Sequence, residues 1–420
     1  MRLRLWLICL SGSWGLLWGD NTILNISSSG VKKMSIAIGS FVLDKENSLE
    51  ESKNLEVRTI VQNDLFLSDF FEIKSVDVGD SLAMKKALVQ AYLQASYYVR
   101  LPYFYFFGNL FDAVSRNIIF SKEYKVKHEF YRNAVHTFSD DIVHFLFGER
   151  GVARTKIIFS SQRSRNKEIY IMDYDGESLK QVTSNGSINL TPCFSHQNDE
   201  LLYTSYLNKR PLIYLTSLYS DRTQVFIKTY NLNMTPSWSP NGDEVVFSGS
   251  VNGNLDIYVI KVNGHDVRRL TFDKAVDSSP SWSPNGEEIV FMSMRTGSAQ
   301  IFVMDRYGAN VRRVTYVRNQ NEAPAWSPRG NRIAYHTFEN GQYEICMIDL
   351  DGGNFRQLTR DSGNNEDPNW SPNGKLICFT STRAGFSQIF IMNTDGSRQI
   401  PVTTGSNDYS PSWSYFKEGG

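Results

Sequence analysis

A serine nucleophile needs a base and an orienting acid, and one pair of blocks in the chain is of that kind: Gly79-Asp80-Ser81-Leu82, with Asp141-Ile142-Val143-His144 downstream. As chemistry these would be the nucleophile and the acid–base pair of an esterase. Their local settings argue otherwise. Asp80-Ser81 stands where a helix should be capped, and Asp141 and His144 fall on an amphipathic segment. A cap and a solvated helix face therefore account for both blocks. No Gly-x-Ser-x-Gly occurs anywhere, so the strained serine turn of the propeller-bearing hydrolases is missing as well. Metal chemistry is equally thin. The six histidines (128, 136, 144, 196, 265 and 336) are scattered, and Asp173-Tyr174-Asp175-Gly176 and Asp349-Leu350-Asp351-Gly352 lack the terminal glutamate of a calcium loop. They recur where hairpin turns belong. No catalytic residue, metal or cofactor is expected.

The elements that must carry these residues fall into two regimes. From residue 20 to 150 the pattern alternates. Met34 to Ile38 reads as a strand, Ser48-Leu49-Glu50-Glu51 as a capping box opening a helix to about Phe66, and Phe71 to Val76 as a strand. A helix from about Ser81 to Leu93, strands over Tyr97 to Tyr105 and Asn117 to Tyr124, and a helix with Ala134, Phe138, Ile142 and Leu146 on one face follow. This is a small α/β domain, joined onward through Gly148 and Gly151.

After residue 155 self-similarity takes over. An aromatic residue before a serine recurs at Phe194, Trp238, Trp282, Trp326, Trp370 and Trp413, spaced 44, 44, 44, 44 and 43 residues apart. Around each lie four strand-like runs, as in Thr235 to Gly242, Glu244 to Phe247, Asp256 to Ile260 and Arg268 to Thr271. Asn241-Gly242 and its counterparts suit a hairpin turn at positive φ. A period in the forties with four strands per unit is a β-propeller blade. Residues 200 to 230 keep the spacing but lose most of the motif. The last aromatic has no blade after it and Lys156 to Phe159 has none before it, so the C-terminal strand completes the first blade and leaves no open edge. The fold expected for residues 151–420 is a six-bladed all-β propeller, preceded by the α/β domain.

Composition limits the partners. Lys+Arg and Asp+Glu both number 44, which gives no basic surplus for nucleic acid and none for an anionic membrane. Arg2 and Arg4, the apolar stretch Leu5 to Leu17 and small Gly15 and Gly19 read as a secretory signal peptide over residues 1–19. The mature chain then keeps 42 bases against 44 acids, and Cys193, Cys346 and Cys378. Three cysteines on buried strand positions point to packing, not a disulfide framework. No other segment is long and apolar enough to span a membrane.

The signal peptide, the α/β domain and six repeats of the Pro-x-Trp-Ser-Pro-Asn-Gly…Ile-Tyr-x-Met-Asp-x-x-Gly…Leu-Thr type together resemble the TolB family of the periplasmic Tol–Pal system. The junction is similar too: Ser139-Asp140, Gly148-Glu149-Arg150-Gly151 and Thr155 to Phe159 look like the family's last helix running into its first propeller strand. Leu101 to Phe111, crowded with Tyr and Phe, departs from it. The resemblance implies a non-enzymatic, monomeric adaptor. It would bind the peptidoglycan-associated lipoprotein at one propeller mouth and inner-membrane Tol proteins through the mature N-terminal segment, here Asp20, Asn21 and Thr22. It would support outer-membrane integrity and cell division. A hydrolase and a sugar-binding propeller are the alternatives. Loops entering the innermost strands converge on the mouth of the channel, and they offer Asp277, Asn321, Glu322, Asn365, Glu366, Asn407 and Asp408. Turns alone do not require acids in successive loops, whereas a cationic partner segment would. The expectation is an acidic-polar rim led by Asp277, Glu322, Glu366 and Asp408.

Overall fold

Strand-forming and helix-forming runs alternate through the first domain because each buries one face on the other. The computed structural model describes residues 33–43, 51–220, 222–227, 231–251, 253–360 and 362–416. Residues 1–19, expected as a signal peptide, Asp20 to Thr22 and the expected Ser48 capping box lie outside them. The domain runs β1 (Met34–Leu43), α1 (Glu51–Leu67), β2 (Phe71–Lys74), α2 (Ser81–Lys86), β3 (Ala91–Arg100), β4 (Tyr103–Asp112), β5 (Ile118–Lys127) and α3 (Tyr131–Phe147). The sheet order is β2-β1-β3-β4-β5, with β1 parallel to both neighbours and β3-β4-β5 antiparallel. Val57, Ile60 and Val61 of α1 and Val135, Phe138 and Ile142 of α3 cover one face, over Ile36, Leu93 and Phe106. Met84 of α2 lies against the other face with Ala37 and Tyr92. Gly108 sits under α3, where a Cβ would come within 2.2 Å of the Phe138 ring.

Two expected elements change shape. The helix from Ser81 stops at Lys86, because Leu88 turns at φ 55° and the alternating Val89, Ala91 and Leu93 are spent on the sheet. The single strand expected over Tyr97 to Tyr105 is two, β3 and β4, hinged at the cis Leu101–Pro102 bond.

Beyond α3 the chain passes a polar clamp before entering the propeller. Asp140 accepts from the Ala153 amide at 2.9 Å and from the Arg154 backbone and side chain. Burial pushes its carboxyl up to about 6. Gly151 is required here, since a Cβ would lie 2.0 Å from Asp140 Oδ1.

Six four-stranded antiparallel sheets follow. The repeat in full is seen in the inner strand Asp277–Trp282, then Glu288–Ser293, Gln300–Asp305 and the short outer Arg312–Arg313. The degenerate unit is still a blade, from Asn189–Phe194 out to Thr223–Val225. The ring closes as expected: Asp408–Trp413 pairs with Lys156–Ser161. Each recurrent aromatic is a wedge between neighbouring blades. Trp282, for example, packs on Val246, Ile257 and Val259 behind it and on Ile289 and Phe291 of its own sheet. Gly308 lets a turn lie on the preceding blade, where a Cβ would meet the Leu270 carbonyl oxygen at 2.5 Å. Cys193, Cys346 and Cys378 are free thiols.

Candidate functional site at the propeller mouth

The inner strands set the mouth. Each carries an Asn or Asp at or next to its start: Asn189, Asn233, Asp277, Asn321, Asn365 and Asp408, all with no exposed surface. They are struts between strands. Asn321 Nδ2 donates to Gln300 Oε1 at 3.0 Å and Asn365 Nδ2 to Glu344 Oε2 at 3.1 Å. Thr315 and Thr359 donate to the same two side chains and cap the amides of Ile301 and Ile345. The two acids in this ring carry buried ion pairs. Asp277 faces Arg295 Nη2 at 3.1 Å, and Asp408 faces Arg163 Nη2 at 2.9 Å while accepting from the Ser161 hydroxyl. Burial raises the Asp277 carboxyl above its ordinary value, with Ser293 and Arg295 opposing.

Asp277, Asn321, Asn365 and Asp408 were expected on the rim, and the structure turns them inward instead. The reason is register: on a pleated strand a one-residue offset sends a side chain to the other face. Asn407, one residue earlier, caps the Ser387 amide at 3.1 Å.

The half-buried ring is made by the next two positions. Glu322 and Glu366 occupy the second and are half-buried. The third is left-handed in every blade, at Thr191, Thr235, Ser279, Ala323, Asp367 and Ser410, with φ between 46 and 53°. The ladder slips there, giving a bulge. The bulge turns the backbone N–H sideways to the preceding blade: Thr235 onto Thr204, Ser279 onto Ser248 and Ser410 onto Thr380, at 3.1 to 3.2 Å.

One of these contacts is different. The Asp367 amide donates to Nδ1 of His336 at 3.1 Å. A neutral His336 ring therefore carries its proton on Nε2, which faces Glu322 Oε2 at 3.9 Å. Asp367 Oδ1 lies 4.0 Å from Nδ1, Tyr343 packs edge-on against the ring, and Gln320 Nε2 bridges Glu322 and the Tyr343 hydroxyl at 3.2 Å. The imidazole in front of Glu322 holds its carboxyl below the ordinary value. Burial, with Asp367 beside it, raises that of Glu366. The acid is thus gathered on one side of the channel, where Glu322, Glu366 and Asp367 surround His336. His336 was not singled out in the sequence. Its signal was the repeat register, in which Ser160, Thr204, Ser248, Met292 and Thr380 hold the same place.

This mouth faces away from the first domain. Asp69 and Phe66 at the end of α1 meet Asn393 and Arg398, and Glu149 and Arg150 after α3 meet Arg329 and Asn373. Those four propeller residues lie at or just past the other ends of the strands. The esterase-like blocks do not meet. Asp80 Oδ1 caps the Leu82 and Ala83 amides and Ser81 accepts from Arg116, whereas Asp141 is bonded to Lys122 and Tyr124 under α3, across the sheet. No helix among the described residues is long and apolar enough to cross a membrane.

A closed six-bladed propeller behind an α/β domain, with polar residues at the ends of its inner strands, defines a class of two-domain propeller proteins. Residues 143–322 and 316–418 match the model of the TolB beta propeller domain. The chain belongs to the TolB family. It is similar to the crystal structure of TolB from Acinetobacter baumannii over 92% of this chain and 97% of that one, at TM-score 0.79 and 25% identity. The Tol-Pal system protein TolB of Geobacter sulfurreducens is 47% identical over 92 residues, 22% of this chain and 21% of that protein. The Rickettsia peacockii protein of the same name is 29% identical over 202 residues, 44% of this chain and 45% of that protein. The sequence matches thus span less than half the length of these relatives.

Proposed function

We propose that this chain is a periplasmic adaptor of the Tol–Pal system that binds the peptidoglycan-associated lipoprotein at the open propeller mouth. It carries a signal peptide over residues 1–19, with the domain division near residue 150, and acts without an active site of its own. Asp20, Asn21 and Thr22 belong to the segment that engages inner-membrane Tol proteins. The observation that carries the reading is the cluster of Glu322, Glu366, Asp367 and His336 at the mouth opposite the first domain. Such a concave polar site suits a partner segment bearing cations and amide donors. Through these two contacts the adaptor supports outer-membrane integrity and cell division.

The test is calorimetry with the lipoprotein's soluble domain. Glu322→Lys with Glu366→Lys reverses the local field, and like charges across an interface cost several kcal/mol. The double variant should weaken binding by at least ~10-fold, which is ~1.4 kcal/mol. Both residues are half-buried at an end of the channel, so the thermal midpoint should hold within about 3 °C. Unchanged affinity in a folded double variant would remove this mouth from the lipoprotein contact.

A further inference from the structure

The seam between the two domains holds a second polar cluster that the mouth does not explain. His136 of α3 is buried to 1% exposure. Its Nδ1 sits 2.9 and 3.0 Å from the two oxygens of Asp64 on α1. Asp64 is itself fixed by the Tyr174 hydroxyl, which donates to it at 2.7 Å. In the neutral ring a carboxylate on one nitrogen sets the tautomer: the proton goes to Nδ1, and the lone pair of Nε2 points outward. That is the support shell by which proteins prepare a histidine as a metal ligand. Here Nε2 is buried and has no hydrogen-bond partner. It is aimed at the turn after the third strand of the first blade, where Asp173 and Asp175 stand. One ligand atom from each of His136, Asp173 and Asp175 lies within 4.8 Å of the other two.

We propose that His136, Asp173 and Asp175 form a binding site for one divalent transition-metal ion of the zinc class, clamping α3 to the first propeller blade. One nitrogen and two carboxylate oxygens, with water as fourth ligand, are a donor set that zinc accepts at about 2.0–2.2 Å. Ligand atoms around such an ion stand roughly 3.4 Å apart. The 3.9 Å between Nε2 and Asp175 Oδ2 closes to that by a small side-chain shift. Arg132 is the competitor, since its Nη2 lies 2.6 Å from the same oxygen. It has an alternative partner in Glu56, and its Nε makes no hydrogen bond. Lys156 holds the other side of Asp173, at Oδ1, and Arg132 Nε stands 3.9 Å from Oδ2, so the ion must displace the guanidinium from both carboxylates. The site also lies beside open solvent: His136 and Asp173 line a cleft of about 1360 Å³ between α3, the linker and the first two blades.

The test uses the full, untagged chain, stripped with a chelator and titrated with Zn²⁺ and separately with Co²⁺. One saturable equivalent is expected, with Co²⁺ giving visible ligand-field bands and no thiolate charge-transfer band. Asp64→Asn should keep the stoichiometry and weaken affinity by ~10–100-fold, as loss of a supporting carboxylate does. His136→Ala should abolish the uptake. Should that variant fail to fold, Asp175→Asn decides, because its amide oxygen still accepts from Arg132 while losing the anionic ligand. Absence of a saturable site, or uptake undiminished in Asp175→Asn, overturns the proposal and leaves His136 as part of an ion-pair network.

Discussion

A chain ending at Asn407 is expected to lose the cooperative melt of its propeller, not merely to fray at one end. The segment removed, Asp408–Trp413, is the inner strand of the first blade. Without it Lys156–Ser161 becomes a bare edge, and the surface that Trp413 covers is opened to water. Trp413 is 4% exposed and packs with Ile157 and Phe159 of its own sheet and Leu376, Cys378 and Ile389 of the preceding blade. Its Nε1 donates to Thr155 Oγ1 at 2.7 Å. Past the strand the tail is stitched on: Ser414 Oγ accepts from the Lys156 amide, and Tyr415 exchanges two bonds with Asn198 of the second blade. The single change Trp413→Ala should cost ~3–5 kcal/mol. At about 2–4 °C per kcal/mol for domains of this size, that lowers the propeller's melting temperature on the order of 10 °C. Scanning calorimetry reads both outcomes, and a truncated chain that melted like the parent would mean the ring is not closed by its tail.

The second large effect falls on a residue whose sequence position pointed to the mouth. Asp408→Ala strips a fully buried carboxylate from Arg163 and from the Ser161 hydroxyl. Breaking a fully buried pair costs ~3–5 kcal/mol; Arg163 keeps some solvent and the Thr404 carbonyl, so the loss here should be nearer ~2 kcal/mol, the cost of an unmade charged hydrogen bond. The loss should show as a lower unfolding midpoint in urea at unchanged slope. Asp277 supplies the contrast. At the matching place four blades carry Asn, and Asn365 accepts from Arg383 at 2.9 Å much as Asp277 accepts from Arg295. Burial raises the Asp277 carboxyl. The stability it contributes is therefore complete at acid pH and lost as pH rises through that raised value. Asp277→Asn should stay within about 1 kcal/mol of the parent at neutral pH and flatten that part of the pH profile. A large drop in Asp277→Asn, or none in Asp408→Ala, would contradict the strut assignment.

The failed part of the rim shows where sequence reading runs out. Glu322 and Glu366 lie half-buried at the ends of inner strands. Their neighbours Asp277, Asn321, Asn365 and Asp408 are fully buried, because a left-handed bulge two residues on sets which side chain of the pleat faces the channel. Residue types cannot show that offset. The helix expected over Ser81 to Leu93 failed for a related reason. Ala91 and Leu93 pair with β1 and β4 as part of a strand, and a helix read on through them missed that pairing.

By itself the sequence determined the propeller: its period, its six aromatic wedges, its glycine turns and its closure by the tail. Each of those is a contact within one blade or with the next, so the same short pattern must recur every forty-odd residues. Only the tertiary structure decided which polar groups meet. His336 reaches Glu322 and Asp367 across three strands, and Asp64, His136 and Tyr174 come together from α1, α3 and the first blade. The seam cluster is made by packing segments distant in the chain, and no spacing along the chain encodes it.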